Sequence, residues 1–180
     1  MVLLVAAVPA TEAYAQMSMG SFKGYLTGHL GAIRGGGLSD PRLVFGGSVA
    51  VQEDSGWGAE LDLGHASEAA AGRQLLDVTT YLVNASWVRS TGRVRPFGVA
   101  GGGVMQVSGC DAPCTRAART YDFGLSAGAG AFVVLHDTAA LRADARYFIS
   151  SADHADLRRP ENFSFWRISF GATFMWAVVP

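Results

Sequence analysis

Tyr121-Asp122-Phe123-Gly124-Leu125-Ser126-Ala127-Gly128-Ala129-Gly130-Ala131-Phe132-Val133-Val134-Leu135 is written in two interleaved alphabets. The odd positions are apolar throughout, whereas Asp122, Gly124, Ser126, Gly128 and Gly130 occupy even ones. Side chains of an extended strand alternate between two faces, so a period of two marks a β-strand with one greasy face and one small, polar face. The code returns in 141–150, where Leu141, Ala143, Ala145, Tyr147 and Ile149 oppose Arg142, Asp144, Arg146 and Phe148. It closes the chain in 168–176, with Ile168, Phe170, Ala172, Phe174 and Trp176 set against Ser169, Gly171, Thr173 and Met175.

Which face carries the charges decides the solvent. A water-soluble antiparallel sheet hydrates a charged outer face and packs bulky aliphatics inside. Here the charged face is also the glycine face, since Gly124, Gly128, Gly130 and Gly171 share it with Asp122, Arg142, Asp144 and Arg146. Glycine weakens a strand unless space is short. A narrow barrel interior explains both features, because a lumen of about eight strands is just filled by side chains. Lys23 is the single lysine among 14 basic residues, poor material for a solvated exterior and an argument against a soluble lipid-carrying barrel.

Composition points the same way. The 180 residues suit one domain, and a formal net charge of -1 leaves no basic footprint for nucleic acid. Mean hydropathy is +0.22, yet the longest uncharged run, Pro96 to Cys110, falls short of the roughly 18 residues that read as a transmembrane helix. Membrane-like hydropathy without such a helix leaves the closed barrel, the other fold that satisfies its backbone inside a bilayer. The expected fold is all-β: an eight-stranded, antiparallel, up-and-down transmembrane barrel.

The N-terminus supplies an address. Val2 to Ala10 is a short apolar run, and Ala13-Tyr14-Ala15 before Gln16 has the small-x-small form of a signal-peptidase site. Residues 1–15 therefore read as a signal peptide and 16–180 as the barrel domain. The usual basic n-region is missing, so the true start is expected upstream of Met1.

Strands are expected at about 22–34, 42–52, 57–67, 75–89, 94–108, 120–135, 139–150 and 162–176, an even count that suits a bacterial barrel. Tight turns at 53–56, 90–93 and 136–138 alternate with longer stretches at 35–41, 68–74, 109–119 and 151–161. Such barrels place short turns on the periplasmic side and long loops outside. With that orientation Trp57, Trp87, Phe97, Phe174 and Trp176 fall near the periplasmic strand ends, and Tyr121, Phe123, Tyr147, Phe163 and Phe165 near the other, as two headgroup girdles. Asp77 breaks the outward register unless a bulge intervenes or it stands above the membrane.

At this point the chain resembles the eight-stranded outer-membrane barrels of the OmpA-like, or outer membrane protein beta-barrel domain, type. The resemblance covers 22–176 and rests on Arg95-Pro96-Phe97-Gly98-Val99-Ala100-Gly101-Gly102-Gly103-Val104, on Gly128 to Phe132 leading through His136-Asp137 into Leu141 to Tyr147, and on Ser169-Phe170-Gly171-Ala172-Thr173-Phe174. These are structural signatures, without a catalytic motif. Family members usually end on an aromatic residue read by the insertion machinery, whereas here Ala177-Val178-Val179-Pro180 follows Trp176.

Three kinds of site follow from the residues. Glu60, Asp62, Asp122, Arg142, Asp144, Arg146 and Arg167 share the inward set and can form two-point guanidinium–carboxylate pairs that plug the lumen; a gated ion path is the alternative. His65 and Ser67, spaced i and i+2 on the lipid-facing side, are the candidates for acyl-ester hydrolysis and are similar to the pair of lipid A deacylases, although Gly64-His65-Ala66-Ser67-Glu68 lacks that family's Asn after the serine. Cys110 and Cys114 read as a disulfide in an oxidising compartment. His29, His136 and His154 show no metal-ligand spacing, and Gly101-Gly102-Gly103 lacks the Lys-Ser/Thr of a phosphate loop, so no metal or cofactor is expected.

The expected role is structural or interactive: a monomeric outer-membrane platform presenting its long loops for adhesion or membrane integrity. A lipid-modifying enzyme and a small pore are the alternatives. The partners this implies are outer-membrane lipid and lipopolysaccharide, periplasmic chaperones, the insertion machinery and a surface ligand for the loops.

Overall fold

The computed structural model describes residues 21–35, 41–71, 74–111, 117–150 and 164–178. Eight strands run in chain order: β1 (Phe22–Arg34), β2 (Arg42–Glu53), β3 (Trp57–Ala71), β4 (Gln74–Val88), β5 (Val94–Asp111), β6 (Ala117–His136), β7 (Ala139–Ser150) and β8 (Ser164–Val178). Each pairs antiparallel with its neighbour in sequence, and β1 pairs with β8 from Phe22↔Val178 to Arg34↔Trp166, closing the barrel. Closure leaves no edge strand, so the ladder satisfies its own backbone all the way round. The expected signal segment 1–15 lies outside the described residues.

Alternation sorts the faces as expected. Along β6 the exposed positions are Tyr121, Phe123, Leu125, Ala127, Ala129, Val133 and Leu135, while Asp122, Gly124, Ser126 and Phe132 are buried. Between the strand ends the outer face carries Leu26, Leu30, Val49, Leu61, Leu63, Val83, Leu125, Ile168 and Phe170. Asp77 is also outward and exposed, near the loop end of β4. The irregularity in the β3–β4 ladder falls between Ala66 and Ala69, on the opposite strand, and Asp77 stays in register with Ser108 of β5. A place beyond the apolar band, rather than a bulge in β4, therefore accounts for Asp77.

Two hairpins are longer than their sequence suggests. The segments that read as loops at 68–74 and 109–119 are largely ladder, with pairing out to Ala71↔Gln74 and Cys110↔Ala117. Alanine and glycine there give no alternation signal, but backbone pairing does not need one once the neighbouring strand is aligned. The tight turns at the other end are compact. Gly56 N donates to Glu53 O at 2.9 Å, and Gly56 and Gly92 take φ of 92° and 95°, a left-handed conformation natural to glycine.

The lumen is stratified. Toward the loops lies an apolar layer of Ile33, Val44, Ala66, Val78, Leu82, Met105, Val107, Phe148 and Phe165. Toward the turns lies a second, of Tyr25, Ala50, Val88, Phe97, Val99, Phe132, Ala140 and Met175. Between them sit Glu60, Asp62, Arg142, Asp144, Arg146 and Arg167.

Candidate functional site: a sealed ionic layer in the lumen

Strand parity delivers the charges to this layer. Arg142, Asp144 and Arg146 alternate along β7, Arg167 follows on β8 directly opposite Arg146, and Glu60 and Asp62 come from β3 across the barrel. All six are buried, Asp62 and Arg146 completely. Glycine makes the room: a Cβ at Gly128, the ladder partner of Arg146, would stand 2.7 Å from Arg146 Cγ, and one at Gly64 would stand 2.8 Å from Arg167 Nη1.

The pairs link into one network. Arg142 Nη1 donates to Glu60 Oε2 at 2.7 Å and its Nε to Asp144 Oδ2 at 2.9 Å. Arg146 Nη2 lies 2.7 Å from Glu60 Oε1, with Asp62 and Asp144 each at 3.4 Å from its other nitrogens. Arg167 grips Asp62 at two points, Nη1 to Oδ1 at 2.8 Å and Nη2 to Oδ2 at 2.9 Å. Three guanidinium groups therefore meet three carboxylates, and the layer is neutral. Hydroxyls add to the pairs, Ser169 donating to Asp144 Oδ1 at 2.9 Å and Ser48 accepting from Arg142 at 3.2 Å, while Arg142 Nη2, Arg167 Nε and the three Arg146 nitrogens are buried without a hydrogen-bond partner, so that Arg146 is held by charge attraction. Pairing is what makes these buried charges tolerable, and each hydrogen bond lowers the cost further.

Of the seven charged residues read from the sequence, six meet. Asp122 is equally buried but stands six residues up β6 from Gly128, where Ser150 Oγ donates to its Oδ2 at 3.3 Å. Aromatic lids join the network without any signal in the local sequence. Arg142 Cζ lies 4.5 Å from the Phe97 ring centroid and Arg167 Cζ 5.1 Å from that of Phe148, while Phe148 stacks on Phe165 at 4.7 Å. These contacts add cation–π attraction to the ion pairs. The described void in the loop-side layer measures about 10 Å³, room for about one water.

Two girdle residues are corrected by this packing. Phe97 and Phe165, which position along the strand assigns to the headgroups, are 4% and 2% exposed, inside the barrel. Position sorts them by end; parity sorts them by face, because Phe97 shares the phase of Val99 and Phe165 that of Arg167. Trp166 takes the outward place, its ring 5.1 Å from that of Tyr147. Trp57, Trp87, Tyr121, Phe123, Phe174 and Trp176 are exposed on the outer face. Trp176 covers Gly24, opposite it on β1: a Cβ at Gly24 would run into the indole. Phe163 lies outside the described residues.

His65 and Ser67 do face outward, but His65 Nδ1 is 2.9 Å from Thr79 Oγ1 and its ring lies edge-on to Phe45 at 5.3 Å. The contacts described for His65 are thus to β4 and β2 rather than to Ser67. Cys114 lies outside the described residues, and of Cys110 only the backbone is described, at the end of β5.

A family model described as "Outer membrane protein beta-barrel domain" matches residues 1–174. Among solved structures the chain is similar to Neisserial surface protein A, with TM-score 0.67 and 13% identity over 85% of this chain and 96% of that one. It is also similar to the N-terminal β-barrel domain of Pseudomonas aeruginosa OprF, with TM-score 0.60 and 14% identity over 86% and 97%. A third is the attachment invasion locus protein Ail of Yersinia pestis, solved with the heparin analogue sucrose octasulfate, with TM-score 0.57 and 18% identity over 88% and 100%. No curated protein matches the chain.

Proposed function

Because the chain belongs to the outer membrane protein beta-barrel domain family, we propose that this outer-membrane barrel is a structural platform that acts through its surface loops and its contact with lipid, not through its lumen. The observation that carries the reading is the stratified interior. A neutral, ion-paired layer between two apolar layers offers neither a hydrated path to an ion nor a route by which substrate could reach Glu60, Asp62 or Asp144. General acid–base catalysis needs a carboxylate within hydrogen-bond reach of the reacting group. The remaining surfaces able to meet a partner are the loop ends and the outer face.

Export through the periplasm after cleavage at Ala15, and loops that serve adhesion or membrane integrity, belong to this reading. The test is a pair of measurements on barrel refolded in lipid. Planar-bilayer recordings should show no unitary conductance, and incubation with lipopolysaccharide should release no fatty acid. Steady ion conductance would restore the pore, and acyl release abolished by Ser67→Ala would make the barrel an enzyme.

A further inference from the structure

The turn-side rim of β3 and β4 sets two tryptophans beside arginines on the outer face. Trp57 and Trp87 are direct cross-strand partners, 62% and 43% exposed. Alternation continues past Trp87, with Val88 buried and Arg89 exposed again on the outer face, one step nearer the turn. Arg93 is exposed in the same turn.

The backbone there is fixed. Arg89 N donates to Pro96 O at 3.0 Å, Val88 N to Gly56 O at 2.9 Å, and Ser90 Oγ to Asp54 O at 3.0 Å, which ties the two neighbouring turns together. Gly56, with φ of 92°, lets the Trp87 indole lie over the turn: a Cβ there would be 3.3 Å from Trp87 Nε1, so the indole nitrogen sits at turn depth. The acids of the neighbouring turn have other described partners. Asp54 meets Lys23 at 3.6 Å and also binds Ser21, and Glu53 accepts from Ser55 at 3.0 Å. Among the described residues, neither Arg89 nor Arg93 pairs with a carboxylate.

Two indoles at the edge of an apolar band, followed toward the turn by two guanidinium groups that pair with no described carboxylate, match the profile of a lipid leaflet from acyl chain to phosphate. We infer that Trp57, Trp87, Arg89 and Arg93 form a docking site for an anionic phospholipid of the leaflet facing the turns, with the arginines on its phosphate and the indoles on its upper acyl chain and glycerol. Arginine suits this role because its planar fork meets phosphate oxygens two at a time. The inference rests on the membrane-spanning reading but adds a preferred lipid to it.

The test uses Trp166→Phe/Trp176→Phe protein, in which Trp57 and Trp87 are the remaining tryptophans. It is refolded in vesicles of phosphatidylcholine and phosphatidylglycerol in which one lipid at a time carries acyl-chain bromine, a short-range quencher of indole fluorescence. Quenching should report phosphatidylglycerol enriched beside the reporters by at least roughly fivefold over its mole fraction, the preference expected for each arginine near a lipid surface. Arg89→Gln/Arg93→Gln should abolish that preference while leaving heat-modifiable gel migration intact. Equal quenching by both lipids in the parent overturns the site, and a preference that survives in the double variant removes it from these arginines. Absence of quenching by either lipid would overturn the membrane reading itself, a different failure from loss of selectivity.

Discussion

Arg167 and Asp62 face each other across the lumen, from β8 and β3, and close a two-point pair with both distances under 3 Å. The pair spans 105 residues of sequence, so it forms only when the barrel has closed. Asp62 is also 3.4 Å from Arg146, which makes it the joint between two guanidinium groups.

Removing that joint should strand positive charge in a dry interior. Asp62→Ala is expected to lower the unfolding free energy by about 3 to 5 kcal/mol, the cost of breaking a buried pair by deleting one partner. Asp62→Leu combined with Arg167→Met should recover much of the loss, because Arg146 keeps Glu60 and Asp144. Equilibrium urea titration of barrel in vesicles, followed by tryptophan fluorescence, measures both. A double variant as weak as the single one would mean that the charges themselves, not their pairing, hold the layer.

The two kinds of glycine should respond with opposite sign. Gly28 faces outward, and an added Cβ there would meet no atom within 4 Å, so Gly28→Ala should stabilise by roughly 0.5 to 1 kcal/mol through reduced chain entropy. At Gly128 the same change presses on Arg146 Cγ and should cost about 1 to 3 kcal/mol as overpacking. The same urea titration tests the contrast, which equal effects would contradict.

Ala129 lies on the exposed face of β6, opposite Ala145 of β7. Ala129→Arg should weaken folding into bilayers by roughly 2 to 4 kcal/mol, as for a charge near the midplane, while Ala129→Leu should be nearly neutral. Matching penalties would show that size, not charge, is what the face rejects.

Thiol-blocking mass spectrometry on protein taken from the outer membrane should find Cys110 and Cys114 without free thiols. A ring this short restrains little chain entropy, so reduction should leave the barrel's melting nearly unchanged. Two readily alkylated cysteines would refute the disulfide.

Strand count, pairing order, barrel closure and the inward set that includes Glu60, Asp62, Arg142, Asp144, Arg146 and Arg167 were all legible in the order of the amino acids. The reason is local: a period of two assigns a face to each residue before any partner is known, and turn chemistry at Gly56 and Gly92 fixes where the chain reverses. Parity alone also contained the true place of Phe97 and Phe165, which position along the strand obscured. Who meets whom was not legible, and it took the closed barrel to settle it. That Arg167 takes Asp62 while Asp122 lies outside the six-charge network, that Phe97 and Phe148 lie against Arg142 and Arg167, and that Trp176 fills the space above Gly24 all depend on register and closure between strands far apart in sequence. A strand's alternation carries no information about distance along its neighbour, and the ladder supplies it only when β1 meets β8.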